Sequence, residues 1–164
     1  HPATVLVRKK TKKIKEFTIS TPTIFWFRQD LRLHDNPGLK AACDAGEIIP
    51  VYIYEPGQET SWGPGAASRW WLHHALVALD KSLGGSLTVL SGDPLTIISD
   101  LAHSVSARAV YWNRCYEPQN IKRDAEIKSC LKQSGLDVQS FNGSLLWEPW
   151  QVLKKDGTPY KVFT

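Results

Sequence analysis

Five short apolar runs, each separated from the next by one helical pattern, limit the folds that this chain can adopt. Each run is four to seven residues long, which is the length of a strand, and parallel strands need a crossover helix between them. The sequence therefore predicts an α/β fold built on a doubly wound, five-stranded parallel sheet. The predicted strands are Ile24–Phe27, Ile48–Tyr54, Leu87–Leu90, Ala109–Trp112 and Val138–Phe141.

Helix boundaries are marked by residues that cap or stop helices. Asn36-Pro37 and Asp93-Pro94 each place a capping side chain before a proline, the usual combination at a helix start. The predicted helices run from Pro37 to Ala45, from about Gly65 to Leu83, from Pro94 through Val105, and from about Glu117 to Ser134. In the second helix, apolar residues recur at the three- and four-residue spacing of one helix face, namely Trp71, Leu72, Ala75, Leu76, Leu79 and Leu83.

The basic charge of the chain is concentrated at its amino terminus. The formal net charge is +4, but residues 1–20 hold six basic residues against one acid, Glu16. The rest of the chain is therefore nearly neutral and has no electrostatic footprint for a phosphate backbone. Three widely spaced cysteines predict neither a disulfide framework nor a zinc site, and with no signal peptide or membrane-length apolar run we expect a cytoplasmic setting.

The loops after the first and fourth strands hold the candidate site. Arg28, Asp30, Arg32 and Asp35 follow the first strand, and residues 113–117 follow the fourth. Ligands bind outside the carboxyl ends of strands in open doubly wound sheets, at the point where neighbouring crossovers leave on opposite faces. Two explanations of these charges stay open: a hydrogen-bonded network that fixes the loop, or a ligand crevice.

Several common site types lack their signatures. Neither a dinucleotide fingerprint nor a phosphate-binding loop is present. His73 and His74 are adjacent in a helix and diverge by about 100°, so they do not face one metal, and we predict no metal site. Cys115 has no histidine near it in sequence and is expected to be an inert thiol. Trp62 and Trp112 are the tryptophans that we place near the strand ends, where they could wall a planar ligand.

The stretch from Trp26 to Asn36 resembles the opening signature of the DNA photolyase and cryptochrome family. Further pieces resembling that family follow in the same order, at residues 65–72, 92–94, 110–113, 116–118 and 160–164. The resemblance covers about residues 23–164. It implies a Rossmann-like sheet with strand order 3-2-1-4-5, in the amino-terminal domain that houses a light-harvesting antenna chromophore, either a reduced folate or a deazaflavin.

The resemblance also implies a division of labour. In this family a larger helical domain downstream holds FAD, binds damaged DNA and repairs cyclobutane pyrimidine dimers, a light-driven carbon–carbon lyase reaction (deoxyribodipyrimidine photo-lyase). We therefore expect a monomeric chain whose partners are that FAD domain and, through it, DNA, and which is inactive alone. A cryptochrome photoreceptor and a stand-alone small-molecule-binding α/β module are the alternatives.

The resemblance assigns residues to roles, none of them catalytic. Arg28, Asp30, Arg32, Asp35 and Asn36 match the signature and are expected to form a structural charge network. Gln119-Asn120 replaces an Asn-Glu pair of folate-binding members, and Cys115 replaces an acidic residue of deazaflavin-binding members. The candidate antenna residues are Arg28, Gln29, Asp30, Trp62, Asn113, Arg114, Cys115, Glu117, Gln119 and Asn120.

Three segments are predicted along the chain. Residues 1–20 form a basic extension, native or added, and residues 21–142 form the α/β antenna domain. Residues 143–164 begin a connection to the helical FAD domain.

Overall fold

The computed structural model describes residues 21–56 and 65–158. Within these residues, strands and helices alternate along the chain, as the sequence predicts. The elements are β1 Thr23–Phe27, α1 Pro37–Ala45, β2 Ile48–Tyr54, α2 Ala66–Ser82, β3 Thr88–Ser91, α3 Pro94–Ser104, β4 Ala109–Asn113, α4 Pro118–Gln133, β5 Asp137–Phe141 and the 3₁₀ turn Pro149–Gln151.

The five strands form one parallel sheet in the order β3-β2-β1-β4-β5. Strand β1 is central, and it pairs with β2 on one side and with β4 on the other. All five of its residues are buried, because a parallel sheet in this fold is covered on both faces by its own crossover helices. The predicted fold class and strand order are confirmed.

Side-chain alternation along the strands produces two cores. Ile24 and Trp26 of β1 point to the face covered by α3 and α4, where they pack with Trp112. Phe25 and Phe27 point to the opposite face, where α1 and α2 supply Leu39 and Leu79 among others. The period of two residues in a strand is what divides one apolar run between two layers.

The helix starts follow the capping chemistry read from the sequence. The side chain of Asn36 accepts a hydrogen bond from Leu39 N at 2.9 Å, and proline occupies the first position of α1. Asp93 caps α3 in the same way, since its carboxylate accepts from Thr96 N at 2.8 Å, which lowers the pKa of Asp93. These caps satisfy N–H groups that have no partner inside the helix.

Helix α2 is only partly covered by the rest of the fold. Of its periodic apolar residues, Leu79 alone is buried, Leu72 and Leu76 are partly buried, and Trp71 is 71% exposed. Periodicity identifies which residues share a helix face but not how closely another layer covers it.

Candidate functional site

The carboxyl edge of β1 and β4 is the switch point of the sheet. Helix α1, which follows β1, packs on the face of Phe25 and Tyr111, whereas α4, which follows β4, packs on the opposite face. The two crossovers thus leave adjacent strands in opposite directions and open a space between the loops. The strand order thus confirms that the switch point lies between β1 and β4, and ligand binding there stays a prediction.

Asn113, at the end of β4, joins the two loops. Its amide nitrogen donates to Asp30 Oδ2 at 2.5 Å and to Asn36 Oδ1 at 2.7 Å, and its oxygen accepts from Gly38 N at 3.1 Å. A Cβ atom at Gly38 would lie 2.5 Å from Asn113 Oδ1, so glycine is required for this approach. Asn113 is 3% exposed, and its role in this structure is to fix the loops.

Among the charges after β1, Asp30, Arg32 and Asp35 form no ion pair with one another in the described residues, and hydrogen bonds to backbone and amide groups hold them instead. Arg32 donates to the backbone carbonyls of Asp35 and Gly143, and Asn36 Nδ2 donates to Arg32 O at 2.9 Å. Asp35 takes part through its carbonyl and has a positive φ of 50°. The loop is therefore held by Arg32 on backbone carbonyls and by the Asn113 amide on the Asp30 carboxylate.

Arg28 belongs to a second network that lies on the α4 side. It pairs with Asp124 at 2.7 Å and lies over the Trp26 ring at 4.1 Å. The guanidinium group of Arg123 bridges two acids: it lies 3.2 Å from Asp124 Oδ1 and 2.5 Å from Glu55 Oε2. The Arg28 and Asp124 side chains are 7% and 11% exposed, so this pair is largely withdrawn from solvent and removal of either partner would leave a buried charge.

Sequence reasoning missed Glu55, Arg123 and Asp124. One signal was available for the last of these: Asp124 stands three residues before Ile127 and seven before Leu131, and all three form the buried face of α4. A carboxylate at a core position of a helix needs a cation or a donor facing it. Glu55 and Arg123 carried no comparable signal, since both could have been solvated.

A crevice of about 340 Å³ opens at this edge, between β1, β2 and the start of α4. Its inner wall is formed by Trp26, Phe27 and Tyr52, and charged and amide groups surround its mouth. Its volume is in the range of small-molecule sites, and polar groups make up more of its lining than apolar ones do. The lining residues, which define the crevice below, are Trp26, Phe27, Arg28, Gln29, Leu31, Tyr52, Ile53, Glu55, Leu72, Cys115, Asn120 and Arg123.

Glu117 holds two amides of the crevice mouth. Gln29 Nε2 donates to Glu117 Oε1 and Asn120 Nδ2 donates to Glu117 Oε2, each at 2.8 Å. These hydrogen bonds, that from Gln29 foremost, lower the pKa of Glu117. Neither amide oxygen accepts a hydrogen bond within the described residues, so both are available as acceptors for a ligand.

The structure brings four of the predicted antenna residues into the crevice lining: Arg28, Gln29, Cys115 and Asn120. Cys115 is 7% exposed, and its burial raises the pKa of the thiol, so the thiolate that would be reactive is disfavoured. Asp30, Asn113, Arg114, Glu117 and Gln119 lie nearby without lining it. Trp62 lies outside the described residues. Ligand contact by any of these residues stays a prediction.

The described residues contain neither a metal-binding cluster nor a membrane-spanning helix. No cluster of three His, Cys, Asp or Glu side chains there could hold a metal ion. Nor does that part of the chain contain a helix long and apolar enough to cross a membrane.

Comparison with known proteins places this geometry in a family. The family model of DNA photolyase matches residues 23–164. The deoxyribodipyrimidine photo-lyase of Agrobacterium fabrum is 47% identical over 150 residues, which is 88% of this chain and 30% of that protein. Cryptochrome-2 of Arabidopsis thaliana is 41% identical over 145 residues, which is 86% of this chain and 24% of that protein.

Solved structures agree with the sequence relatives. A bacterial class III photolyase from Agrobacterium tumefaciens superposes with a TM-score of 0.79 at 44% identity, over 96% of this chain and 32% of that chain. An archaeal photolyase from Sulfolobus tokodaii, solved with two FAD molecules, has a TM-score of 0.67 at 28% identity, over 83% of this chain and 31% of that chain. The chain therefore spans about a third or less of the length of these relatives, and it belongs to the DNA photolyase family.

Proposed function

We propose that this chain is the antenna domain of a light-driven DNA photolyase, and that the crevice binds the light-harvesting chromophore. The observation that carries the proposal is the crevice itself, which lies at the switch point of a sheet similar to that of photolyases. Such a chromophore absorbs light and passes the excitation to a flavin. The residues of this chain bind and orient it.

The crevice lining suits a planar heteroaromatic ring with polar edges. Arg28 and Arg123 place guanidinium groups beside the Trp26 ring, at 4.1 and 5.7 Å from its centroid. Their ion pairs with Asp124 and Glu55 fix both cations in place. At the mouth, the amides that Glu117 holds present acceptor oxygens, which favours a ligand whose ring edge carries N–H groups.

Three chromophore classes fit this description: a reduced folate, a deazaflavin and a flavin. The structure of the Sulfolobus tokodaii protein contains two FAD molecules and is described as implying a novel light-harvesting cofactor. By that likeness a flavin is one occupant to be tested, beside the folate and deazaflavin that the resemblance suggests.

In this proposal, repair of pyrimidine dimers takes place outside this chain, in a helical FAD domain that also contacts DNA. The near-neutral charge of residues 21–164 supports this division, because non-specific DNA binding depends on clustered cations. We further propose a monomer in a reducing, cytoplasmic setting, which the three free cysteines support. Accordingly, the 164-residue chain alone should show no light-dependent repair of a thymine-dimer oligonucleotide.

The test is a binding titration of the 164-residue chain with methenyltetrahydrofolate, a deazaflavin and FMN, followed by ligand fluorescence. Leu72→Trp places a larger side chain in the crevice lining, and Val77→Trp adds the same side chain at a 54% exposed position of the same helix. We expect at least one probe to bind the wild type and Val77→Trp equally, and to bind Leu72→Trp at least about tenfold more weakly, a loss of about 1.4 kcal/mol. Absence of binding by all three probes, or equal binding to Leu72→Trp, would contradict the proposal.

A cryptochrome photoreceptor is the second candidate, and it is favoured by the 41% identity to Arabidopsis Cryptochrome-2. The two functions differ in what the excited flavin does, so the crevice does not distinguish them. Blue-light repair of a thymine-dimer oligonucleotide by the full-length gene product would support the photolyase. Absence of repair by a product that holds reduced FAD would favour the photoreceptor.

A further inference from the structure

A second, smaller cavity lies under α4, and neither the family match nor the proposed antenna role assigns it a ligand. It has a volume of about 150 Å³ and is enclosed by α4, the ends of β4 and β5, and the 3₁₀ turn. We call it the side cavity. We infer that the side cavity binds a small aromatic carboxylate, with the carboxylate at Lys128 and the ring against Trp150.

The positive charge of Lys128 is not neutralised by the acidic side chain that lines the side cavity with it. Lys128 Nζ contacts Ser140 Oγ at 3.3 Å and has no carboxylate partner within the described residues. Asp124 also lines the cavity, but its two oxygens are engaged by Arg28 and Arg123. Lys128 therefore carries an uncompensated positive charge in a partly buried position, and an anion is the group that compensates it.

A second cation strengthens the positive field. Arg114 lines the cavity and is held by Glu148 at 2.7 Å and by the carbonyl of Ser140 at 2.6 Å. Glu148 neutralises the charge of Arg114. Arg114 therefore contributes to the cavity wall and does not itself need an anionic ligand. Burial, foremost, together with Lys132 and Arg114, lowers the pKa of Lys128, which agrees with a cation that lacks a counterion.

The remaining walls are aromatic and apolar. The Trp150 ring lies 6.4 Å from the Tyr116 ring, with 36° between their planes, and Ile121 also lines the cavity. Trp112 also lines the cavity, and its buried indole N–H group has no acceptor among the residues that the structure describes. A lining that combines the Lys128 ammonium group with flat apolar surfaces complements a molecule that joins an anion to a single ring. Inorganic phosphate would satisfy Lys128 but would leave the aromatic walls without contact.

The experiment uses benzoate as the probe and benzamide as its uncharged isostere. Binding to the 164-residue chain is followed by the NMR shift of the Lys128 side chain and by tryptophan fluorescence. Lys128→Met keeps the aliphatic stem and removes the charge, and Lys132→Met is the matched control, since Lys132 lies one turn further along α4, is exposed and does not line the cavity. Chain folding of each variant is checked by its denaturation midpoint.

We expect benzoate to bind saturably, to shift the Lys128 resonance, and to bind at least about tenfold more weakly to Lys128→Met, because that variant loses the charge-assisted hydrogen bond to the carboxylate. Lys132→Met should bind as the wild type does, and benzamide should bind at least about tenfold more weakly than benzoate. Equal binding of benzoate and benzamide, an unchanged affinity in Lys128→Met, or no saturable binding would overturn the inference. Equal affinity for inorganic phosphate and benzoate would overturn its aromatic part.

Discussion

Two pairs of tryptophans in this chain have opposite environments. Trp26 and Trp112 lie side by side on the central strands β1 and β4, with ring centroids 5.8 Å apart, and each is 1% exposed. Trp70 and Trp71 are adjacent on α2 and are 61% and 71% exposed. The same residue type is thus core in one element and surface in another.

The difference arises from the number of layers that cover each element. A central strand of a doubly wound sheet has a helix layer on both faces, so every side chain that it carries is enclosed. Helix α2 contributes Leu79 to a core but is not among the elements in extensive contact with the sheet. The sequence of α2 shows that the helix has apolar residues. Whether those residues are buried depends on where the helix lies in the tertiary structure.

The largest expected effect is at the sheet centre. Trp112→Ala removes a ring that packs between β1, α4 and Trp26, and truncation of a buried aromatic typically lowers the free energy of unfolding by about 3–5 kcal/mol. Urea denaturation followed by circular dichroism gives this value. A loss no greater than that of Trp71→Ala would break the comparison between the two pairs.

Asn113→Ala tests how much the hydrogen bonds at the end of β4 contribute to the free energy of unfolding, compared with the Trp112 ring. The change leaves the Asp30 carboxylate and the Gly38 N–H without their Asn113 partner, and an unsatisfied buried group costs about 1–3 kcal/mol. We expect a loss in this range, below that of Trp112→Ala, in the same denaturation experiment. Asn120→Ala, at a partly exposed position of α4, is the control, and a similar loss there would show that the Asn113 network is not specific.

Tyr111 gives a pH-dependent test of the same strand. Burial, and then the hydrogen bond that its hydroxyl donates to Asp137 Oδ2 at 2.6 Å, raise the pKa of Tyr111 to about 12 from 10.0. Because the pKa is higher in the folded state, the neutral phenol contributes stability that is fully present below pH 10 and is lost as pH rises towards 12.

The measurement compares the denaturation midpoints of the wild type and Tyr111→Phe across this pH window. The difference in denaturation midpoint between the wild type and Tyr111→Phe should decrease as pH rises. In an alkaline titration, the phenolate absorbance of Tyr111 should appear at a higher pH than that of a tyrosine with the ordinary pKa of 10.0. Parallel loss of stability in both proteins would show that Tyr111 does not carry the effect.

The smallest expected effect is on α2. Trp70→Ser and Trp71→Ser should each change the free energy of unfolding by less than about 0.5 kcal/mol, as is usual for surface substitutions. Urea denaturation of the 164-residue chain measures this directly. A loss of several kcal/mol would mean that α2 is packed more tightly than its exposed tryptophans indicate.

Particular residues show how far sequence reasoning reached at the site. The caps at Asn36 and Asp93 could be predicted because an N-cap is a contact between residues three positions apart. The crevice at the end of β1 could be located because strand ends in this fold have a known relation to ligands. The partner of Arg28 could not be predicted, since Asp124 is 96 residues away and many acids were equally available by sequence.

By itself, the sequence determined the α/β class, the strand and helix order and the position of the loops, because these follow from periodicity and from capping, which act over short stretches of chain. It also determined the family, through the signature between Trp26 and Asn36. Only the tertiary structure decided that Asn113 links the loops, that Asp124 balances Arg28, and that Lys128 has no counterion among residues 21–56 and 65–158. Each of these depends on which distant groups share a buried space, where the energy of a charge is set by its nearest partners rather than by its neighbours in sequence.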